Sequence, residues 1–385
     1  MKTAEQRLDA AGFWLLAASL GVVQFNLLTA QVLFGLSALA GIWLLVRGAA
    51  RPVWPSFFVP LLVYALLTLV SAAFSIAPVA SFKDSRQLLL FLMVPLTAHY
   101  ARGTRAMRTL DIIIAVGAAG ALIGIVQWAM LGYDSLDRRP EGPLSHYMTY
   151  SGVLMLVTCA AVARLVFHQR EWIWPAIAVP ALLVALRSTL TRNAWLGGAA
   201  GVAALLALRN WKLALLAPAV ALALLFLAPG DIRTRAMSMV DPSDPSNRDR
   251  VTMVHVGIGM IRDHPLWGVG PEMVQVQYER YRPADYVNPV NPHLHNVPLQ
   301  IAAERGLIAL AAWLWFFVAA VIDALARVRR GEAPAVSAAA FASLVAMLVA
   351  GMFEYNFGDS EFLMLLLGLI SLPFASQRGA LDGRP

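Results

Sequence analysis

The chain has 385 residues and a formal net charge of +7. Apolar residues make up 59% and charged residues 14%, against roughly 45–50% and about 25% in a soluble domain, which excludes an ordinary soluble globular protein. A lone cysteine, Cys159, excludes an intramolecular disulfide scaffold and a cysteine-rich metal site.

A helix needs about 20 mostly apolar residues to cross the roughly 30 Å hydrocarbon core of a bilayer. Apolar runs bounded by charge or turn residues predict spans at 9–26, 28–46, 54–76, 87–101, 109–131, 149–168, 172–190, 193–208, 212–229, 307–326, 335–354 and 361–376, of which 87–101 and 193–208 are short and a re-entrant helix is the alternative for one. The fold class expected is therefore all-α, a polytopic integral membrane protein of about twelve transmembrane helices. The opening stretch has a basic start and an apolar run but no small-residue cleavage site, so it is read as the first helix. Four regions follow: helices one to nine in 1–229, a large polar loop in 230–306, helices ten to twelve in 307–376, and a tail in 377–385.

Alternate connections carry Lys and Arg: Lys2 and Arg7; Arg47 and Arg51; Arg102, Arg105 and Arg108; Arg164 and Arg170; Arg209 and Lys212; Arg327, Arg329 and Arg330; Arg378 and Arg384. By the positive-inside rule these sixteen residues and both termini are cytoplasmic. Fourteen of the 30 basic residues then remain for the outer side. Lys83, Arg86, Arg187 and Arg192 sit there at span ends, where a charge without a task is costly. The basic balance is thus mostly topological and does not indicate nucleic acid.

The polar segment at 230–306 is the candidate active domain, on the outer face by parity. It opens with a turn-rich stretch from Asp241 to Asn247. A helix capped near Ser246 or Asn247 is expected next, with Val251, Val254, Ile258 and Ile261 at helical spacing, Arg248, Arg250 and Arg262 among its polar residues, and Pro265 as its stop. Such an amphipathic helix can lie on the membrane surface or pack on the bundle. Gly268 and Gly270 lack the strand-turn-helix context of a nucleotide fingerprint and read as a turn. Tyr278, Tyr281 and Tyr286 with Arg280 and Arg282 suit sugars and phosphates, and equally an interfacial loop. Asn296 is a natural helix cap with Pro298 in the first turn. His295 then stands at a helix N-terminus, whose dipole favours the neutral ring that a general base needs. His293 and His295 form a His-x-His pair, but no acidic or cysteine partner stands at ligating spacing, so no metal site is expected. Glu354, Asp359 and Glu361 read as a solvated acidic outer loop, with the orienting of a basic residue or of the acceptor as the lesser alternative.

Together, several motifs resemble those of the O-antigen ligase and polymerase superfamily of bacterial envelope enzymes, most closely its ligases. They are His295-Asn296, nine residues and Gly306; Asn247-Arg248-Asp249-Arg250; Asp263-His264-Pro265-Leu266-Trp267-Gly268-Val269-Gly270; Thr191-Arg192-Asn193-Ala194-Trp195-Leu196-Gly197; and Glu141-Gly142-Pro143-Leu144-Ser145-His146. One departure is Ala309, where the ligase pattern prefers Gly, Thr or Tyr. The resemblance implies the integral-membrane glycosyltransferase type, with a large helical periplasmic loop between helices nine and ten. It implies transfer of O-antigen from undecaprenyl diphosphate to a sugar hydroxyl of lipid A–core oligosaccharide, at the periplasmic face of the inner membrane, without cofactor, ATP or metal.

A diphosphate leaving group needs its charge met, and arginine binds phosphate oxygens bidentately with a charge that does not titrate away. Arg192 is the first nominee. Arg187, Lys83, Arg86, Arg248, Arg250, Arg262 and Asn296 are further substrate-binding candidates, and His295 is the general base. Direct attack inverts the anomeric centre. The rival readings are a polysaccharide polymerase or protein O-oligosaccharyltransferase of the same superfamily, and, outside it, a transporter or flippase. Against the last, no internal repeat is apparent and the charges gather at outer helix ends, away from the midplane.

Overall fold

The computed structural model describes residues 4–49, 54–168, 170–213 and 230–381. The expected ninth span lies outside the described residues from position 214 onward, as do Lys2, Arg51 and Arg384. Among the described residues there is helix and no strand. The helices are α1 (Ala4–Val22), α2 (Leu27–Val46), α3 (Phe58–Ala73), α4 (Pro78–Asp84), α5 (Met93–Tyr100), α6 (Thr104–Met130), α7 (Tyr147–Phe167), α8 (Ile173–Ser188) and α9 (Arg192–Arg209). They continue as α10 (Gly230–Met237), α11 (Pro245–Asp263), α12 (Met273–Tyr281), α13 (Val297–Arg329), α14 (Pro334–Ala350) and α15 (Ser360–Leu381). Helices α2, α6, α7 and α13 are long and apolar enough to cross a bilayer; α3, α8, α14 and the first part of α15 are shorter apolar helices. The fold is consistent with a polytopic membrane protein.

The bundle is held by close helix contacts. Helix α14 packs on α7 and α9, α13 on α3 and α14, and α6 on α8. Small residues permit this, because without a hydrophobic drive between helices in lipid, close backbone approach supplies the contact energy. A Cβ at Gly197 of α9 would lie 2.7 Å from the carbonyl oxygen of Ala346 on α14. Basic residues expected on the cytoplasmic side are partly paired, as in Arg164 with Asp111 at 2.9 Å.

The expected span 87–101 is broken: Ser85–Leu92 is a 3-10 helix, and α5 begins only at Met93. Pro95 explains the restart. It lacks an N–H and clashes with the carbonyl four residues back, so it fits only in the first turn of a helix. The expected span 307–326 is the distal part of α13, which starts ten residues earlier and breaks at Gly306, with φ at 83°.

Helix α11 occurs where expected, but its cap is Asp244, whose carboxylate accepts from the N–H groups of Ser246 and Asn247. Its buried face is also the other one. Thr252, Met253, Val256 and Met260 are buried, whereas Val251, Val254 and Ile258 are exposed. The helical period was legible and the direction was not, because both faces carry apolar residues. With Val269, Met273, Tyr278 and Leu294, the inward face of α11 builds a second, smaller core beside the bundle.

Candidate active site

The turn at 265–270 docks on the break in α13. Val269 N–H donates to Ala303 O at 2.9 Å, Gly270 N–H to Glu304 O at 2.8 Å, and Leu307 N–H to Pro265 O at 2.9 Å. Gly306 makes this possible: its φ is left-handed, and a Cβ there would lie 2.0 Å from Leu266 O. Two sequence motifs thus form one joint. Ser71 of α3 donates to Trp267 O and Glu304 O, fastening the joint to the bundle. Next to it, Glu304 is fully enclosed and paired with Arg305 at 2.6 Å, and Arg305 reaches Asp84 at 3.6 Å.

Asn296 caps α13, accepting from Leu299 N–H at 2.9 Å and donating to Met352 O at 3.0 Å. These two bonds give its amide a positioning role at the helix end, with one N–H and one lone pair outside them. His295 stands one residue outside the helix with φ at +46°. Its Nδ1 lies 2.9 Å from Oε2 of Glu354. A proton on Nδ1 donates to that carboxylate and leaves Nε2 as an acceptor, the arrangement of an oriented general base. Burial opposes ionisation of Glu354, but the charge and hydrogen bond of His295, with His293 and the Tyr355 N–H, hold it down to about 2. Glu354 is 7% exposed, which corrects the expectation of a solvated loop. A carboxylate among aromatic residues at a span end was the available signal.

His293 also belongs to this cluster. Its ring packs edge-on to that of His295 at 4.2 Å, and its Nε2 is 3.8 Å from Glu354. Burial lowers it to about 4, although Glu354 pulls the other way. The acidic partner that the His-x-His pair lacked in the sequence is Glu354: one ligating atom from each of the three residues lies within 4.8 Å of the others. This is a donor set that a zinc-class ion takes. Here His295 and Glu354 spend those atoms on one another.

Arg192 opens α9 and is 5% exposed. Its guanidinium donates to Ser238 O and Oγ at 2.9 and 2.8 Å, and to Asp244 and Asn247 at 3.2 and 3.3 Å. Asn247 in turn donates to Ser238 O and Asp241 O, holding that turn. Arg192 and Arg250 line one cavity of about 380 Å³, together with apolar Leu196, Met239, Val240 and Phe353. Two further arginines, absent from the sequence reading, share this field. Burial and then the nearby Arg192 and Arg139 lower Arg235 to about 10. Arg139, whose guanidinium lies 4.3 Å from the Tyr147 ring, is lowered by burial and by Arg192. Neither residue sits in a motif, so only the fold reveals them.

The other nominated cations are placed elsewhere. Lys83 and Arg86 line a separate cavity of about 900 Å³ with Asp84, Gln87 and Glu272. Arg187 lies over the Trp128 ring at 5.3 Å. Arg248 and Arg262 are exposed and line none of these cavities. Tyr278 and Tyr281 bond Asn291 and Asp263, and Arg282 covers Tyr286, which is the structural reading of that stretch.

Arg192 and His295 do not touch; a short segment separates their surroundings. Phe353 lines the arginine cavity, while Glu354, Tyr355 and Asn356 line a cavity of about 320 Å³ that also holds His293. Arg250 bridges the two, with its guanidinium 3.5 Å from Phe353 O and within electrostatic reach of both Arg192 and Glu354. The recess offers donors for an anion, and the imidazole beside it offers a nitrogen that can accept a proton. Residues 176–314, which include Arg192, Arg250, His295 and Gly306, match the family model described as O-antigen ligase. The matched stretch is about a third of the chain, and there the chain is similar to the O-antigen ligase superfamily, whose members are glycosyltransferase-like membrane enzymes. A search of curated proteins gives no match.

Proposed function

We propose that the protein is an O-antigen ligase, transferring O-antigen polysaccharide from undecaprenyl diphosphate to a sugar hydroxyl of lipid A–core oligosaccharide. The observation that carries this reading is the pairing of the Arg192–Arg250 recess with the His295–Glu354 pair on either side of Phe353. The acceptor hydroxyl attacks the anomeric carbon as the bond to the diphosphate oxygen breaks. His295 Nε2 takes the hydroxyl proton, Glu354 steadies the imidazolium, and the guanidinium groups receive the diphosphate, so the centre inverts. Donors pre-aimed at developing charge contribute about 3–4 kcal/mol each on the oxyanion-hole precedent. Asp244 and the Ser238 carbonyl, which now occupy Arg192, are the groups that the diphosphate replaces. The site lies at the periplasmic face of the inner membrane, both termini are cytoplasmic, and no metal or cofactor takes part.

The test is transfer in nanodiscs with undecaprenyl-diphosphate glycan and lipid A–core, in EDTA, read as a shifted lipopolysaccharide band. Omission of lipid A–core must abolish the product. Lengthening of the donor alone would instead make the protein a polymerase. No product with any acceptor would leave transport as the better reading.

A further inference from the structure

We propose that the cavity holding Lys83 and Arg86 is a binding site for an anionic two-chain phospholipid of the surrounding bilayer, a site separate from the transfer chemistry above. The cavity, of about 900 Å³, has two walls: the stripe of α2 that carries Gln31, Phe34, Gly35 and Ala38, and the chain 83–92. Helix α2 is one of those long and apolar enough to cross a bilayer. The walls run in the same direction, because farther along α2 a Cβ at Gly41 would lie 3.1 Å from Leu96, farther along the other. Each wall is polar first and apolar later. Gln31 precedes Ala38, and Lys83, Arg86 and Gln87 precede Leu89, Leu90 and Leu92. A furrow graded in this way along a membrane helix matches a phosphate headgroup with acyl chains below it.

The 3-10 form of Ser85–Leu92 accounts for two chains. Residues three apart eclipse one another in such a helix, so Arg86, Leu89 and Leu92 form one ridge. All three line this cavity and also a second, apolar one of about 400 Å³ against Leu62 and Leu69 of α3. One cation thus heads two furrows. Charge complementarity sets the sign of the head. Among the described residues no acid pairs with Lys83 or Arg86, and Arg86 spends only its Nε, on Lys83 O at 2.8 Å. Of the two carboxylates in the lining, Asp84 lies 3.6 Å from Arg305, and Glu272 is hydrogen-bonded to Asp84. Gly35 leaves the furrow open: a Cβ there would meet nothing within 4 Å, although glycine destabilises a helix interior relative to alanine.

The test is native mass spectrometry of the full-length protein released from detergent micelles, with dioleoyl phosphatidylglycerol or dioleoyl phosphatidylcholine added at equal concentration. The anionic lipid is expected to bind at least about tenfold more tightly than the zwitterionic one. Lys83→Gln and Arg86→Gln should each weaken it about fivefold, the effect of one cation beside a lipid phosphate. Gly35→Leu, whose side chain enters the open furrow, should weaken both lipids. Arg248→Gln removes an exposed charge elsewhere and should leave binding unchanged, and millimolar inorganic phosphate should not displace the lipid. Equal binding of the two lipids, or of neither, overturns the proposal, as does wild-type binding by Gly35→Leu. An equal loss in Arg248→Gln would reduce the effect to general surface charge and overturn it too. Displacement by inorganic phosphate would make this a free-anion site, and tighter binding of single-chain undecaprenyl phosphate would make it a prenyl-lipid site; either result overturns the two-chain assignment.

Discussion

Nδ1 of His295 lies 2.9 Å from Oε2 of Glu354, across 59 residues of sequence. The pair joins the cap of α13 to the link between α14 and α15, and it orients the imidazole with Nε2 free to accept. Glu354→Gln keeps the size of the side chain and removes the charge that steadies the imidazolium. On the precedent of other carboxylate–imidazole pairs, kcat should fall about 10²–10⁴-fold with the acceptor KM little changed. Steady-state kinetics in nanodiscs decide it; a KM effect alone would make Glu354 a binding group.

The arginines divide by cavity. Arg192→Ala and Arg250→Ala should each lower transfer about 10²–10³-fold, the cost of one donor aimed at developing charge. Arg192→Lys should not restore it, because an ammonium cannot bind two phosphate oxygens in a fork. Arg248→Ala, exposed on the same helix as Arg250, should stay within about twofold. Equal losses for Arg248 and Arg250 would contradict the assignment.

Acid should destabilise the folded protein in two stages. His293 titrates near 4 against an ordinary 6.5, so the folded state refuses a proton that the unfolded state takes, and stability falls as pH drops from 6.5 towards 4. Glu354 titrates near 2 against an ordinary 4.5. Its contribution is whole above 4.5 and is lost as pH falls from 4.5 to 2. Thermal unfolding against pH should show a flatter curve for His293→Asn between 6.5 and 4. The gap in Tm between wild type and Glu354→Gln should narrow only below 4.5. A wild-type Tm that holds steady from pH 6.5 to 4 would refute the first stage.

Gly306→Ala places a methyl group against the carbonyl of Leu266 on a left-handed backbone. The expected cost is about 1–3 kcal/mol from the backbone strain alone, and the 265–270 turn should come off α13. Limited proteolysis near Trp267 and a lower Tm report it. An unchanged cleavage pattern would show that the joint does not depend on this glycine.

Transfer should proceed undiminished in EDTA. Loss of activity, restored by zinc and abolished in His293→Asn, would place an ion on the His293, His295 and Glu354 atoms and replace the base mechanism with metal activation.

Much of this was written in local sequence. Long apolar runs mark the four helices that are long and apolar enough to cross a bilayer, since a bilayer demands that the backbone satisfy its own hydrogen bonds. The Asn296 cap, the turn at Gly268 and Gly270 and the existence of helix α11 were equally local, because caps, turns and helical period depend on neighbours within a few residues. Pro95 is equally local, and it sets where the helix of the short fourth segment restarts.

What only the tertiary structure decided is which charges meet. Glu354 looked solvated and is buried against two histidines; Arg235 and Arg139 carried no motif and gather around Arg192; Lys83 and Arg86 shared a side with Arg192 and line another cavity. The inward face of α11 was decided in the same way, by the second core that it had to complete. A side chain's charge and period are properties of the chain, but its partner is set by the packing of helices dozens of residues apart, and in a buried site the partner determines whether a charge is a cost or a function.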